Sequence, residues 1–268
     1  MLVSDLLNAL LTRYPVNTAE SWDHVGLSAG HPTDEITGVV CALDVTIANL
    51  EEAFRRGANV LLTHHPVYIK APDSFAPMSP QVPAAASALL RAAELGVSII
   101  SLHTNLDRSI EARALLADFS GFTPSSSLEH PDDSAACGLG AFGRTLVPTT
   151  LEGLAARCAT AFGTTPRVWG DPASPADSIA LLGGSLGNFG ELAIDLGADV
   201  IVTGEAGYHV CQDLALRGLS VILLGHDRSE EPFVELLADS ARDAGVDDAL
   251  LSTIVNPSQW WTYTKGER

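Results

Sequence analysis

The feature that most restricts the fold is a repeat. Gly57-Ala58-Asn59-Val60-Leu61-Leu62-Thr63 is matched by Gly197-Ala198-Asp199-Val200-Ile201-Val202-Thr203. Downstream, Gly96-Val97-Ser98-Ile99-Ile100-Ser101-Leu102 is matched by Gly218-Leu219-Ser220-Val221-Ile222-Leu223-Leu224. Each match is a glycine of helix-stop type followed by a short apolar run, the pattern of a buried strand. A helical pattern separates the two strands in each copy. The order helix–strand–helix–strand therefore occurs twice, which parallel strands with crossover helices produce. We expect a first α/β repeat over residues 1–125 and a second over 126–268, with the Pro/Ser-rich stretch 120–137 as linker.

The residues just beyond each strand are chemically unusual. Val60–Thr63 runs into His64-His65-Pro66, and Val97–Leu102 into His103-Thr104-Asn105-Leu106-Asp107. In the second copy the strands run into Gly204-Glu205 and into Gly225-His226-Asp227-Arg228-Ser229-Glu230. Carboxyl ends of strands are where open α/β sheets hold ligands. Adjacent side chains on a strand point to opposite faces, so His64 and His65 converge only if the chain turns there, as Pro66 favours. Taken alone, the pair also reads as one core and one surface histidine. With His103, Asp107, His226 and Glu230 added, the set holds six nitrogen and oxygen donors and no thiolate. That donor set suits Zn²⁺, Fe²⁺, Mn²⁺ or Ni²⁺. So many donors exceed the need of one open ion and point to two divalent metal ions, with a site between the repeats. His103 with Asp107 and His226 with Glu230 are read as straddling a strand end and a turn, not as helical pairs.

Local signals fill in the remainder. Ser4 is placed to cap a first helix and Thr46 a second, which ends at Gly57. Glu20–Leu27 reads as irregular loop, 66–82 as a long proline-bearing loop, and 231–244 as a helix with Pro232 in its first turn.

The net charge of −18 opposes nucleic-acid and anionic-membrane binding, and no apolar run reaches membrane-spanning length. Four dispersed cysteines and no basic signal-like start lead us to expect a reduced, cytoplasmic protein without membrane attachment.

Glu20-Ser21-Trp22-Asp23-His24-Val25-Gly26-Leu27, Leu43-Asp44-Val45-Thr46, Thr63-His64-His65-Pro66, His103–Asp107, Thr203-Gly204-Glu205 and Gly225-His226 with Ser229-Glu230 together resemble the NGG-interacting-factor-three family. Members are also labelled dinuclear-metal-centre proteins and type-2 GTP cyclohydrolase I homologues. The match runs in order along essentially the whole chain. The resemblance implies two intertwined α/β repeats with mixed, largely parallel sheets flanked by helices. It also implies a homohexamer built as a trimer of dimers, with two metals per subunit. Its motif match assigns His64, His65, Asp107, His226 and Glu230 as ligands and His103 as a neighbouring proton-transfer group. Trp22, Asp23, His24, Thr104 and Glu205 become candidates for the substrate cleft. The activity implied is metal-dependent hydrolysis, with metal-activated hydroxide attacking a nucleotide or related small molecule. The alternative is a metal-holding regulatory hexamer that acts through protein partners. The chain departs from the family pattern at His24, where Asn is usual, at Asp227, where an aromatic is usual, and at Gly207, where a basic residue is usual. It also lacks the large central insertion of longer relatives.

Overall fold

A computed structural model describes residues 1–257 and 259–263. Two sheets carry the architecture. The chain opens with helix α1 (Val3–Arg13), then strands β1 (Gly26–Ala29) and β2 (Val39–Ala42), helix α2 (Ile47–Arg55), β3 (Val60–Thr63), α3 (Ala84–Leu95) and β4 (Ser98–Ser101). A short helix α4 (Thr104–Asp107), α5 (Ile110–Ser120) and β5 (Phe122–Ser126) complete the first half. The second half runs β6 (Ala141–Thr145), α6 (Leu151–Ala161), β7 (Arg167–Trp169), β8 (Ser178–Ser185), α7 (Phe189–Asp195), β9 (Val200–Glu205), α8 (Tyr208–Leu216) and β10 (Ser220–Leu223). It closes with a short helix α9 (His226–Glu230), α10 (Phe233–Asp243) and β11 (Leu251–Ile254).

The repeat is visible in both sheets. The first has the order β1-β4-β3-β2-β11, the second β5-β6-β8-β9-β10-β7. In each, three parallel strands form the centre and one antiparallel strand, β1 or β7, closes the edge beside β4 or β10. Strands β2, β3 and β4 are buried along their whole length, as parallel strands covered on both faces must be. The pleat divides them between two cores: Val60 and Leu62 face the molecular centre, Leu61 faces α2 and α3. Strand β9 repeats this, with Val200 and Val202 inward and Ile201 toward α7 and α8. The central core, filled by residues of α1, α5, α6 and α10, lies between the sheets, giving five alternating layers.

The halves are exchanged at their ends. Helix α5 of the first half packs on β5, β6 and β8 of the second sheet, while α10 of the second half packs on β2, β3 and β11 of the first. Strand β11 adds in parallel to β2, residue for residue from Leu251 opposite Val39 to Ile254 opposite Ala42. The repeats are therefore intertwined, as the resemblance implied.

Some local expectations are corrected. Ser4 does not cap α1: the helix starts a residue earlier, and Asp5 accepts from the Leu2 amide at 2.8 Å. The segment read as loop ends in β1, whose pairing with β4 is irregular between Leu27 and Ala29 and so hides the alternation. The Pro/Ser-rich stretch begins with β5, an edge strand that tolerates Pro124 because an edge has one unpaired side. Thr46 caps α2 as expected, accepting from the Asn49 amide. No helix among the described residues is long and apolar enough to cross a membrane.

Candidate metal centre

The carboxyl ends of β3, β4, β9 and β10 supply the site, so it lies where the two repeats face each other. Past β3 the pairing with β2 continues, His64 and His65 donating their amides to Ala42 and Leu43. Thr63 Oγ1 then donates to the His65 carbonyl at 2.8 Å and bends the chain. This turn brings both imidazoles to one place, with ring centroids 5.0 Å apart. His103 caps α4, and the Asp107 amide donates to the His103 carbonyl at 3.0 Å. His226 and Glu230 are the first and last residues of α9. Both pairs are thus helical neighbours four residues apart, contrary to the reading from sequence. Helices this short leave no periodicity to read, yet one turn is enough to put both donors on one face.

The structure brings six predicted donors together. Ligand atoms of His64, His65 and His103 lie within 4.8 Å of one another, as do those of His65, His226 and Glu230, and those of His64, Asp107 and Glu230. Each of the four site histidines is held from behind through Nδ1. His64 Nδ1 lies 3.0 Å from the Leu102 carbonyl, His65 Nδ1 2.8 Å from Asp44, His103 Nδ1 2.8 Å from Asp23 and His226 Nδ1 3.0 Å from Glu205. A carbonyl or carboxylate only accepts, so each Nδ1 carries the proton and each Nε2 is left for the site.

His64 tests whether a cation fits. Its side chain is 0% exposed, and its Nε2 has no hydrogen-bond partner. That nitrogen lies 3.6 Å from Asp107 Oδ1 and 3.8 Å from Glu230 Oε1. With Nδ1 protonated, Nε2 presents a lone pair between two carboxylate oxygens. A buried lone pair facing like-signed oxygens is unfavourable unless a positive ion sits between them. The residues present therefore fit a divalent metal.

The charges are correspondingly displaced. Burial and the neighbouring Glu230 push the Asp107 carboxyl up. Burial acts the same way on Glu230, but the imidazoles of His226 and His65 that reach its carboxylate through Nε2 outweigh burial and hold it well below the usual carboxylate range. Burial disfavours the charged form of His65, yet its hydrogen bonds to Asp44 and Glu230 prevail and raise it to about 10. His226 is raised to about 9, chiefly by its hydrogen bond to Glu230 and against burial. Burial would lift Asp23, but hydrogen bonds from His103 and Thr104 bring it down to about 2.

The five cleft candidates separate. Glu205 lines a cleft of about 1100 Å³ that opens beside His65 and His226. Asp23 and Thr104 lie behind His103, Thr104 donating to Asp23 through both its amide and its hydroxyl. Trp22 stands edge-on to His103 at 6.0 Å, and His24 stacks on Tyr68 at 4.4 Å. Two contributors escaped the sequence reading. Asp44, named above only within the Leu43–Thr46 motif, holds His65; the cue was its place at the carboxyl end of β2, beside the strand that carries His65. Gly184, at φ +60°, lies so close to Glu230 that a side chain there would run into the carboxylate.

Known proteins share this chain's sequence and fold. The family model described as Duf34/NIF3 (NGG1p interacting factor 3) matches residues 1–257. A Lactococcus lactis protein named "GTP cyclohydrolase 1 type 2 homolog" is 30% identical over 252 residues, covering 92% of this chain and 94% of the relative. A Clostridium acetobutylicum protein of the same name is 28% identical over 245 residues, covering 90% of each chain. Among solved structures, a Bacillus cereus protein related to NIF3 superposes with a TM-score of 0.87 at 18% identity, covering 98% of this chain and 99% of the other. A Staphylococcus aureus hypothetical protein gives 0.85 at 24% identity, with the same coverage.

Proposed function

The chain belongs to the Duf34/NIF3 family, and from that premise we propose that it is a dinuclear-metal hydrolase acting on a nucleotide or related small molecule, as the names of its relatives suggest. The observation that carries this reading is the partnerless His64 Nε2 set between Asp107 and Glu230. Two of the three donor groups, His65-His226-Glu230 and His64-Asp107-Glu230, share only Glu230, which suits two positions joined by one carboxylate. Divalent cations held there supply Lewis acidity and lower the pKa of water.

The chain's own residues do the rest. His65 and His226 open onto the cleft, so a substrate reaches the centre from that side. Asp23 fixes His103 through Nδ1 and leaves Nε2 free to hold a proton. In an amidine-type hydrolysis, water adds to a ring carbon, the carbon–nitrogen bond breaks, and the departing nitrogen takes a proton, which His103 Nε2 can deliver. Assembly as a homohexamer belongs to the same proposal.

The test combines metal analysis with turnover. Purified protein loaded with Zn²⁺, Mn²⁺, Fe²⁺ or Ni²⁺ should bind two ions per chain and hydrolyse at least one member of a panel of GTP, other nucleotides and phosphoesters. His103→Ala should lower kcat by roughly 100-fold or more without loss of metal. Two bound ions with no turnover across the panel would favour the regulatory alternative.

A further inference from the structure

No sequence motif covered the residues after β11, yet Trp260 among them lies at the strand ends of the second sheet. Gln259, Trp260 and Trp261 line the cleft that also borders His65 and His226. The indole of Trp260 packs against Gly225, the residue before His226, and its Nε1 donates to Asp227 Oδ1 at 3.3 Å. Half of Trp260 and 80% of Trp261 are nevertheless exposed. Two neighbouring tryptophans lining the cleft, Trp260 anchored on Gly225 and Asp227, present a large aromatic surface to whatever enters. Arg167, at the start of β7, lines the same cleft and makes no ion pair among the described residues. Around it the cleft is acidic, through Asp44, Glu205 and Asp227.

Resting on the hydrolase reading, we propose that this cleft takes a planar heteroaromatic ring bearing an anionic group, with Trp260 as stacking platform and Arg167 as the anion's partner. Ring and anion must both be present. A free anion would meet the surrounding carboxylates with only Arg167 and the Glu231-paired Arg228 to hold it, and a bare ring would leave Arg167 unused. The volume of about 1100 Å³ accommodates a ligand of mononucleotide size.

The probes are adenosine, uridine and nicotinamide mononucleotides, the nucleoside adenosine, and ribose 5-phosphate, titrated calorimetrically into metal-loaded full-length protein. At least one mononucleotide should bind ten-fold or more tighter than both ribose 5-phosphate and adenosine. Trp260→Ala should weaken it roughly 5- to 100-fold, the contribution of one ring–aromatic stack, while Trp260→Phe retains most of the affinity. Arg167→Ala should remove the advantage of the mononucleotide over the nucleoside. The inference is overturned if no mononucleotide exceeds ribose 5-phosphate, or if Trp260→Ala binds as the parent does. It is also overturned if Trp260→Ala dissociates the assembly in sedimentation, because a second copy would then be the occupant. Metal content read on the same samples separates the two claims. Absence of bound metal overturns the hydrolase reading, whereas two bound ions with an indifferent Trp260 overturn only this one.

Discussion

Asp44 gives the sharpest test of the site, because no donor atom is altered when it is changed. Its carboxylate holds His65 through a 2.8 Å hydrogen bond and so aims Nε2 at the centre. The two side chains are only 20% and 31% exposed, so water replaces the contact poorly. Partners behind a ligating histidine commonly contribute about 10- to 100-fold in metal affinity, or about 1.4–2.7 kcal/mol. Asn at this position keeps an acceptor oxygen but loses the charge, and a neutral hydrogen bond is worth roughly half a charged one. Asp44→Asn should therefore weaken Zn²⁺ binding about 10-fold and Asp44→Ala about 100-fold. Glu205 performs the same service for His226, but the pair is 56% and 40% exposed, and solvent screens it. Glu205→Gln should cost about three-fold or less. Competition titration against a chromophoric chelator, with circular dichroism to check folding, measures all three. Unchanged affinity in Asp44→Ala, or a larger loss in Glu205→Gln, would refute the argument that Nδ1 partners aim these rings.

The same geometry has further consequences. In metal-free protein His65 and His226 are raised from 6.5 to about 10 and 9, so the stability they add is fully present below pH 6.5 and is lost as the pH rises through 9 and 10. Bound metal must displace those Nε2 protons, so loaded protein loses stability as the pH falls; thermal midpoints of the two forms should slope oppositely with pH, and parallel slopes count against metal at Nε2. Gly184→Ala puts a side chain against Glu230 at a left-handed backbone position, and should lower stability by about 1–2 kcal/mol and reduce bound metal, read by calorimetry and elemental analysis. Leu237→Ala, deep in α10, should cost about 2–5 kcal/mol and still give one urea transition for the whole chain, whereas residues 1–125 expressed alone should not fold because they lack α10 and β11; two transitions would contradict the exchange of elements.

The sequence made the central strands legible for a simple reason. Strands β2, β3, β4, β9 and β10 are covered on both faces, so each reads as an unbroken apolar run with its polar residues pushed to the ends. The donors were visible because they stand where those runs stop. The hidden features had weak local signals. Helices α4 and α9 span four and five residues, too few to show a period, so the helical spacing of His103 with Asp107 and of His226 with Glu230 went unseen. Asp44 looked like ordinary strand punctuation, since one carboxylate after an apolar run does not say what it will accept from. The exchange of α5 and α10 could not be read from patterning, because an apolar face states that a helix is buried but not against which sheet. Trp260 was passed over for a similar reason: only the crossing of β11 carries it to the cleft.

That crossing also sets a schedule. Residues 251–254, which form the edge of the first sheet, are synthesised long after their partners 39–42. Domains usually fold as units from the N-terminus as the chain emerges. Here the β2 edge of the first sheet stays open until β11 arrives, after every strand of the second sheet. Glu230 precedes that strand by little more than a helix, so the sheet and the donor cluster are completed within the same stretch of synthesis. A nascent chain cut short before α10 would have its paired histidines and no closed site to place them in.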